Sequence, residues 1–507
     1  MKKKFLISVL FLGTLVGCGG FFDSSAVSTE SGSAPSTGAQ TSVSDSASQN
    51  GDAGFYRPDS LKFTMQDINS QVGWVTSEST GDQKMLVVPV KLKDGPAWTT
   101  TKLENLRKAF FGTSEETTFE SVASFYEKSS YGELRITGEV APVCELNTSD
   151  FTVSKVNSLG DYSSDTVIAE YYKTANASLL KQYDLNNDGF VDNCIFIYSN
   201  AYSTSNNSGF WAWCSFTDMN PSTSKPAINN YMWASYEFLN DGYEDNYRSG
   251  YVDAHTYIHE TGHLLGLDDY YSYVSGGWDC AGILEMQSYN VGDQNIYSKM
   301  ALGWIKPYVV TGSTEITLKT SAKYPEAILI NDTWNGSAFD EYILIEYYTP
   351  QGLNQVDAEH TYGGRDTMYG YNGLRIYHID ARLAKLLIDS RGNATFSGYT
   401  DTIITNSSTI SYIGASNTPS NSFLSGNYTS LYRYVHLLDQ GGSNRLNAGR
   451  GGTVSKNTAL WTGSKTFAPS STFFANGTRF NGGEDIGYSV SVSNLTNEDC
   501  KVTITKN

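Results

Sequence analysis

The stretch His259-Glu260-Thr261-Gly262-His263-Leu264-Leu265-Gly266-Leu267-Asp268-Asp269 decides how the rest of the chain is read. Six histidines occur in 507 residues, and three of them, His255, His259 and His263, fall within nine positions. Residues four apart on a helix share a face, so His259 and His263 can offer their rings to one metal ion. Glu260 stands beside them, where its carboxylate reaches a metal-bound water rather than the metal itself. Gly266 falls where a helix ends most cheaply, on a residue free to take a positive φ. The chain then doubles back and brings up Asp269 as a third, oxygen ligand, with Asp268 its adjacent competitor. The pattern is that of a zinc site with one coordination position open for water. His255 lies on the same face one turn earlier. A helix rises ~6 Å over four residues, so three collinear histidines do not share one ion, and His255 is assigned to the surroundings of the site.

Composition sets the bounds. A chain of 507 residues exceeds the usual single core, so two domains with appendages are expected. The hydrophobic share of 39% is enough to fill them. A net charge of −18 argues against nucleic acid or anionic lipid as a partner and leaves carboxylates available for calcium. Lys2, Lys3 and Lys4 precede a short apolar run, Phe5 to Val16, as in a secretory signal. It closes on Leu15-Val16-Gly17-Cys18-Gly19, which resembles the lipobox of bacterial lipoproteins. That resemblance implies a signal peptide over 1–17 and a lipid anchor on Cys18, with an outward-facing place on the cell envelope from which the protein could be shed. Residues 18–54, rich in Ser, Thr, Gly and Ala, cannot bury a core and are expected as a tether.

Order is expected from Phe55. Met85 to Leu92, Glu133 to Val140 and Cys194 to Tyr198 read as strands; Leu103 to Phe111, Phe119 to Lys128, Asp165 to Tyr183 and Val252 to Leu265 read as helices. Between two of these lies Asp184-Leu185-Asn186-Asn187-Asp188-Gly189-Phe190-Val191-Asp192. Oxygen side chains at alternate positions with glycine sixth have the chemistry of a calcium loop. Asp184, Asn186, Asp188 and Asp192 would give side-chain oxygens and Phe190 its carbonyl. Ile195 stands where an EF-hand needs Glu, and an Asx-rich turn is the competing reading.

Residues 199–250 are rich in Tyr, Trp and Asn, which suits a cleft wall and an aromatic core equally. Beyond Trp304, short apolar runs such as Glu315 to Leu318, Ala327 to Ile330, Tyr342 to Tyr347 and Tyr488 to Val492 alternate with turn residues, the texture of a β-sandwich. His360, His378 and His436 are scattered and read as structural. After Cys18 five cysteines remain, which allows at most two disulfides and a free thiol.

H-E-x-x-H-x-x-G-x-x-D resembles the metzincin-like clan of zinc endopeptidases and, more narrowly, the immune inhibitor A family of secreted bacterial metallopeptidases. Ser129-Ser130-Tyr131-Gly132-Glu133-Leu134, the Asp184 loop, Gly277-Trp278-Asp279, Leu284-Glu285-Met286, Lys299 to Trp304 and Asn372 to Asp380 resemble further family segments, so the resemblance covers about residues 55–400. It implies an α+β fold: a metzincin-like peptidase domain over 55–305, with a twisted mixed sheet and an active-site helix, then a β-sandwich-like region over 306–507. It implies zinc on His259, His263 and Asp269, Glu260 as general base, and Met286 in the turn beneath the metal. Tyr289 is implied as oxyanion stabiliser, although it lies three residues after Met286 and metzincin tyrosines of that role commonly lie two. A thermolysin-like site would instead use Glu285, against which the Gly266 and Asp269 spacing argues. The expected activity is zinc-dependent hydrolysis of protein or peptide substrates by a monomer, with calcium as a structural ion. The competing class is a non-catalytic surface binding lipoprotein built on a peptidase-like domain.

Overall fold

Met85-Leu86-Val87-Val88-Pro89-Val90 is apolar without alternation, which fits a strand covered on both faces. The computed structural model describes residues 53–72, 77–159, 161–202, 210–217, 219–240, 242–273, 280–282, 284–363, 366–390, 393–406, 408–418, 422–423, 432–442 and 458–507. The signal segment, Cys18, nearly all of the tether and Gly277-Trp278-Asp279 lie outside these residues. In chain order the first strands are β1 (Phe55–Tyr56), β2 (Gly81–Leu92), β3 (Leu134–Val140), β4 (Cys144–Leu146), β5 (Cys194–Tyr198), β6 (Trp213–Phe216) and β7 (Asn230–Ser235). One sheet runs β3-β2-β5-β7-β6, with β4 also on β2. All its pairings are parallel except that of β6, the antiparallel edge strand. Pro89 has no N–H to give, and it falls where pairing on one side of β2 passes from β3, ending at Val87, to β4, starting at Val90.

The two faces of this sheet bury different partners. Met85, Val87, Ile195, Ile197, Met232 and Ala234 pack with Leu106, Phe110, Phe125 and with Tyr257 and Ile258 of the motif helix. Leu86, Val88, Val90, Phe196 and Trp233 pack on the opposite side with Ile168, Ala169 and Tyr172.

Downstream come β8 (Tyr308–Val310), β9 (Thr314–Lys319), β10 (Ile328–Ile330), β11 (Glu341–Tyr348), β12 (Gly373–Asp380), β13 (Leu383–Ile388), β14 (Ala394–Thr400), β15 (Thr405–Asn406), β16 (Thr409–Ile413), β17 (Val435–Leu437), β18 (Tyr488–Ser493) and β19 (Asp499–Lys506). They form sheets β1-β8-β10-β11-β12-β17, β14-β13-β16-β15 and β18-β19-β9. Ile328, Ile330, Ile343, Ile345 and Ile376 face the β18-β19-β9 sheet through Val490, Val502 and Ile504. Their neighbours Leu329, Tyr342, Leu344, Tyr377 and Ile379 face the other way, into the core that also holds Tyr257 and Ile258. The chain is thus a mixed α+β structure in which the apolar core passes residue 305 without a break. Strand β1 reinforces that continuity, since it precedes the upstream sheet in sequence and pairs with β8 of the downstream one.

Element boundaries moved where side chains intervene. The long helix stops at Ala175, because Asn176 leaves helical geometry and its amide donates to Tyr172 O at 3.0 Å; a short turn, Ala177–Leu180, then follows. The described cysteines, Cys144, Cys194, Cys214, Cys280 and Cys500, are all free and buried, so the disulfides allowed by their number are not formed among them. Among the described residues no helix is long and apolar enough to cross a membrane.

Candidate metal centre

The motif helix spans His255–Leu264, not Val252 onward, because Asp253 turns back to accept the first backbone N–H, from His255, at 2.9 Å. Its sequence, with Thr256, Ile258, Thr261 and Gly262, has little intrinsic preference for helix, so packing must hold it. Tyr257 and Ile258 are fully buried; Tyr257 OH donates to Ser235 O on β7 at 2.8 Å and Tyr126 OH to Ile258 O at 2.7 Å. Gly266 ends the helix at φ +96°, with Gly266 N bonded to His263 O and Leu267 N to Gly262 O, a Schellman turn. A side chain there is excluded twice over. Besides the positive φ, a Cβ would lie 2.0 Å from the buried amide nitrogen of Asn69, on the helix Met65–Val72.

That turn delivers Asp269. His259 Nε2 and His263 Nε2 lie 3.2 Å apart, and Asp269 Oδ1 is 3.0 Å from the first and 3.3 Å from the second. Among the described residues this is the one group of three His, Cys, Asp or Glu side chains whose ligand atoms converge in this way. Two donors on a tetrahedral zinc with bonds of 2.0–2.1 Å sit ~3.3 Å apart. The ring tautomers are fixed by backbone carbonyls. His259 Nδ1 faces Met286 O at 2.8 Å and His263 Nδ1 faces Leu267 O at 2.7 Å, so each ring gives its proton to a carbonyl and points a lone pair inward. Three acceptors with no donor among them repel unless a cation or a proton is present. Without a metal ion, burial disfavours charge on both imidazoles, but Asp269 outweighs it and raises both, His263 to about 10, while the two rings hold the Asp269 carboxyl far below its usual range.

Asp269, not Asp268, is therefore the carboxylate that joins the two rings; desolvation raises the Asp268 carboxyl to about 6. Glu285 is also outside the group, with Oε2 accepting from Asn295 Nδ2 at 3.1 Å. Glu260 is buried, and its Oε2 has no hydrogen-bond partner in the protein. Burial raises its carboxyl, which suits a group that takes and returns a proton. Met286 opens the short helix Met286–Tyr289 and supports the site through its backbone carbonyl under His259. Tyr289 ends that helix with its ring 5.5 Å from that of Tyr271.

No family model matches the chain, and no curated protein matches it. What the molecule itself adds is a set of supports that local spacing does not reveal. Tyr273 OH donates to Asp269 Oδ2 at 2.6 Å; the aromatic run Tyr270-Tyr271-Ser272-Tyr273 was the only signal for it. Ser129 Oγ and Lys299 Nζ both hold Asp293 at 2.6 Å, and Met286 N bonds Asp293 O at 3.4 Å, so segments quoted above for their resemblance meet beneath the site. Arg375, from β12, reaches Leu284 O at 3.3 Å.

His255 is placed away from the group, as its position on the helix requires. Its ring is stacked between Phe119 and Tyr362, with Nδ1 2.7 Å from Asp253 and Nε2 3.4 Å from Asp357. In the Asp184 loop, Asn186 Oδ1 caps Asp188 N and Asp188 Oδ1 caps Phe190 N, the Asx turns of the competing reading. Asp184 Oδ1 is nevertheless buried without a partner, and burial raises the carboxyls of Asp184 and of Asp192, the latter to about 7.

Proposed function

We propose that the protein is a zinc endopeptidase of the metzincin-like kind, related in chemistry to the immune inhibitor A family. The observation that carries this reading is the convergence of His259 Nε2, His263 Nε2 and Asp269 Oδ1, all within about 3 Å of one another, beside a buried Glu260 whose Oε2 has no hydrogen-bond partner. Zinc held there supplies an acidified water and a contact for the carbonyl oxygen under attack. Glu260 is the residue that would take a proton from the attacking water and return it to the leaving amine. Tyr289 is the candidate for steadying the oxyanion. A substrate has a place to lie: among the described residues no strand pairs with the outer edge of β6, and Cys214 of β6 touches the motif helix, its thiol donating to Glu260 O at 3.0 Å. An extended peptide can add to such an edge through its backbone.

Glu260→Gln tests this directly. The variant should bind one zinc as the wild type does and lose about 10²- to 10⁴-fold in cleavage of casein. Normal cleavage by the variant would end the assignment, and a zinc-loaded wild type without chelator-sensitive cleavage would return it to a surface binding protein. Anchoring through Cys18 and a structural calcium on Asp184, Asn186, Asp188, Asp192 and the Phe190 carbonyl complete the proposal. The buried, partnerless Oδ1 of Asp184 is the reason to place a cation there. Calcium should raise the melting temperature of the wild type and not that of Asp188→Asn, measured by calorimetry against a calcium chelator.

A further inference from the structure

Asp269 has two oxygens, and the structure treats them differently. Oδ1 faces His259 Nε2 and His263 Nε2 and accepts no hydrogen bond. Oδ2 faces away and accepts the Tyr273 hydroxyl at 2.6 Å, the short distance of an O–H group on a charged carboxylate. The hydroxyl is held in place from two sides. Tyr273 N donates to Thr418 Oγ1 at 3.1 Å, and its ring stands edge-on to Tyr271 at 5.5 Å, which in turn lies against Tyr289.

A carboxylate with both oxygens bare can grip a metal with one or with two. With two, Asp269 and the histidines would supply four protein donors and crowd the position that water and substrate need. We propose that Tyr273 is a positioning residue that confines Asp269 to one-point binding through Oδ1 and so keeps that position open. The inference rests on the metallopeptidase reading and adds to it a residue that sets coordination number rather than supplying a ligand.

Cobalt(II) in place of zinc makes the difference visible. Wild-type protein loaded with cobalt should show the intense visible bands of a four-coordinate ion. Tyr273→Phe, checked for folding by circular dichroism, should shift to the weaker bands of a five-coordinate ion. Its kcat on a peptide substrate should fall about 10- to 100-fold, with smaller changes in KM and cobalt affinity. Identical spectra for the two proteins overturn the inference. So does a folded Tyr273→Phe that no longer binds cobalt, because the hydroxyl would then be needed to hold Asp269 at all. A Tyr273→Phe that does not fold moves the decision to the wild type, whose infrared difference spectrum on metal loading, with Asp269→Asn as blank, separates one-point from two-point carboxylate binding. A two-point pattern there overturns the inference. A wild type that takes up no metal at His259 and His263 overturns the metallopeptidase reading itself, and the inference with it.

Discussion

His255 and His259 lie one turn apart on the same helix, both buried, and their surroundings could hardly differ more. His255 has a carboxylate at each ring nitrogen, and Asp357 is further satisfied by Tyr243 OH at 2.8 Å and Gly292 N at 2.6 Å. Both ring nitrogens have a carboxylate partner there, although Asp253 Oδ2 is buried without one, and the cluster ties the start of the motif helix to the loop after Tyr289 and to the helix Gln355–Glu359. His259 meets a carbonyl on one side and two more acceptors on the other. Burying polar groups is costly in both places, and the first set meets that cost with a carboxylate at each ring nitrogen while the second turns three ligand atoms toward one another. The second set has the form of a candidate metal site, a difference that residue type alone does not show.

The comparison breaks if the two histidines respond alike to substitution. His259→Gln should reduce zinc uptake and casein cleavage to background and abolish stabilisation by zinc, about 2.7 kcal/mol at a zinc concentration 100-fold above Kd. Metal analysis and thermal melts with and without zinc check this. His255→Gln should do the reverse: it keeps the zinc-dependent stabilisation and loses about 3–5 kcal/mol in urea unfolding, because two buried carboxylates are left without their counter-charge. The two histidines should differ in pH dependence as well. Burial disfavours a charged His255, but Asp253 and Asp357 outweigh it and raise the imidazole to about 10. A raised folded pKa means stability is fully present below the unfolded value of ~6.5 and is lost as pH rises through the folded one. With zinc bound, so that His263 does not titrate, wild-type stability should decline from about pH 6.5 to 10 by at most ~1.4 kcal/mol per pH unit. That decline should be missing in His255→Gln.

Local chemistry was legible in the sequence. His259, Glu260, His263, Gly266 and Asp269 are joined by helix geometry and one turn, so their spacing alone predicts their meeting, and the choice of Asp269 over Asp268 needed only the direction of that turn. The contacts of Asp357 with His255 and of Arg375 with Leu284 O were not legible, because each spans roughly a hundred residues, although the segment holding Arg375 was quoted for its resemblance. The start of the motif helix was misjudged for a similar reason, since Asp253 acts as an acceptor only once His255 folds back on it. The downstream region shows a different kind of loss. Tyr342-Ile343-Leu344-Ile345-Glu346-Tyr347 is apolar nearly throughout, which is the mark of a strand covered on both faces rather than of a free sandwich. The surrounding turns hid that message.

The sheet carrying β11 and β12 gives one face to the β18-β19-β9 sheet and the other to the core around the motif helix. Such an element has no seam. A gene cut near codon 305 would leave each product with a bare apolar wall.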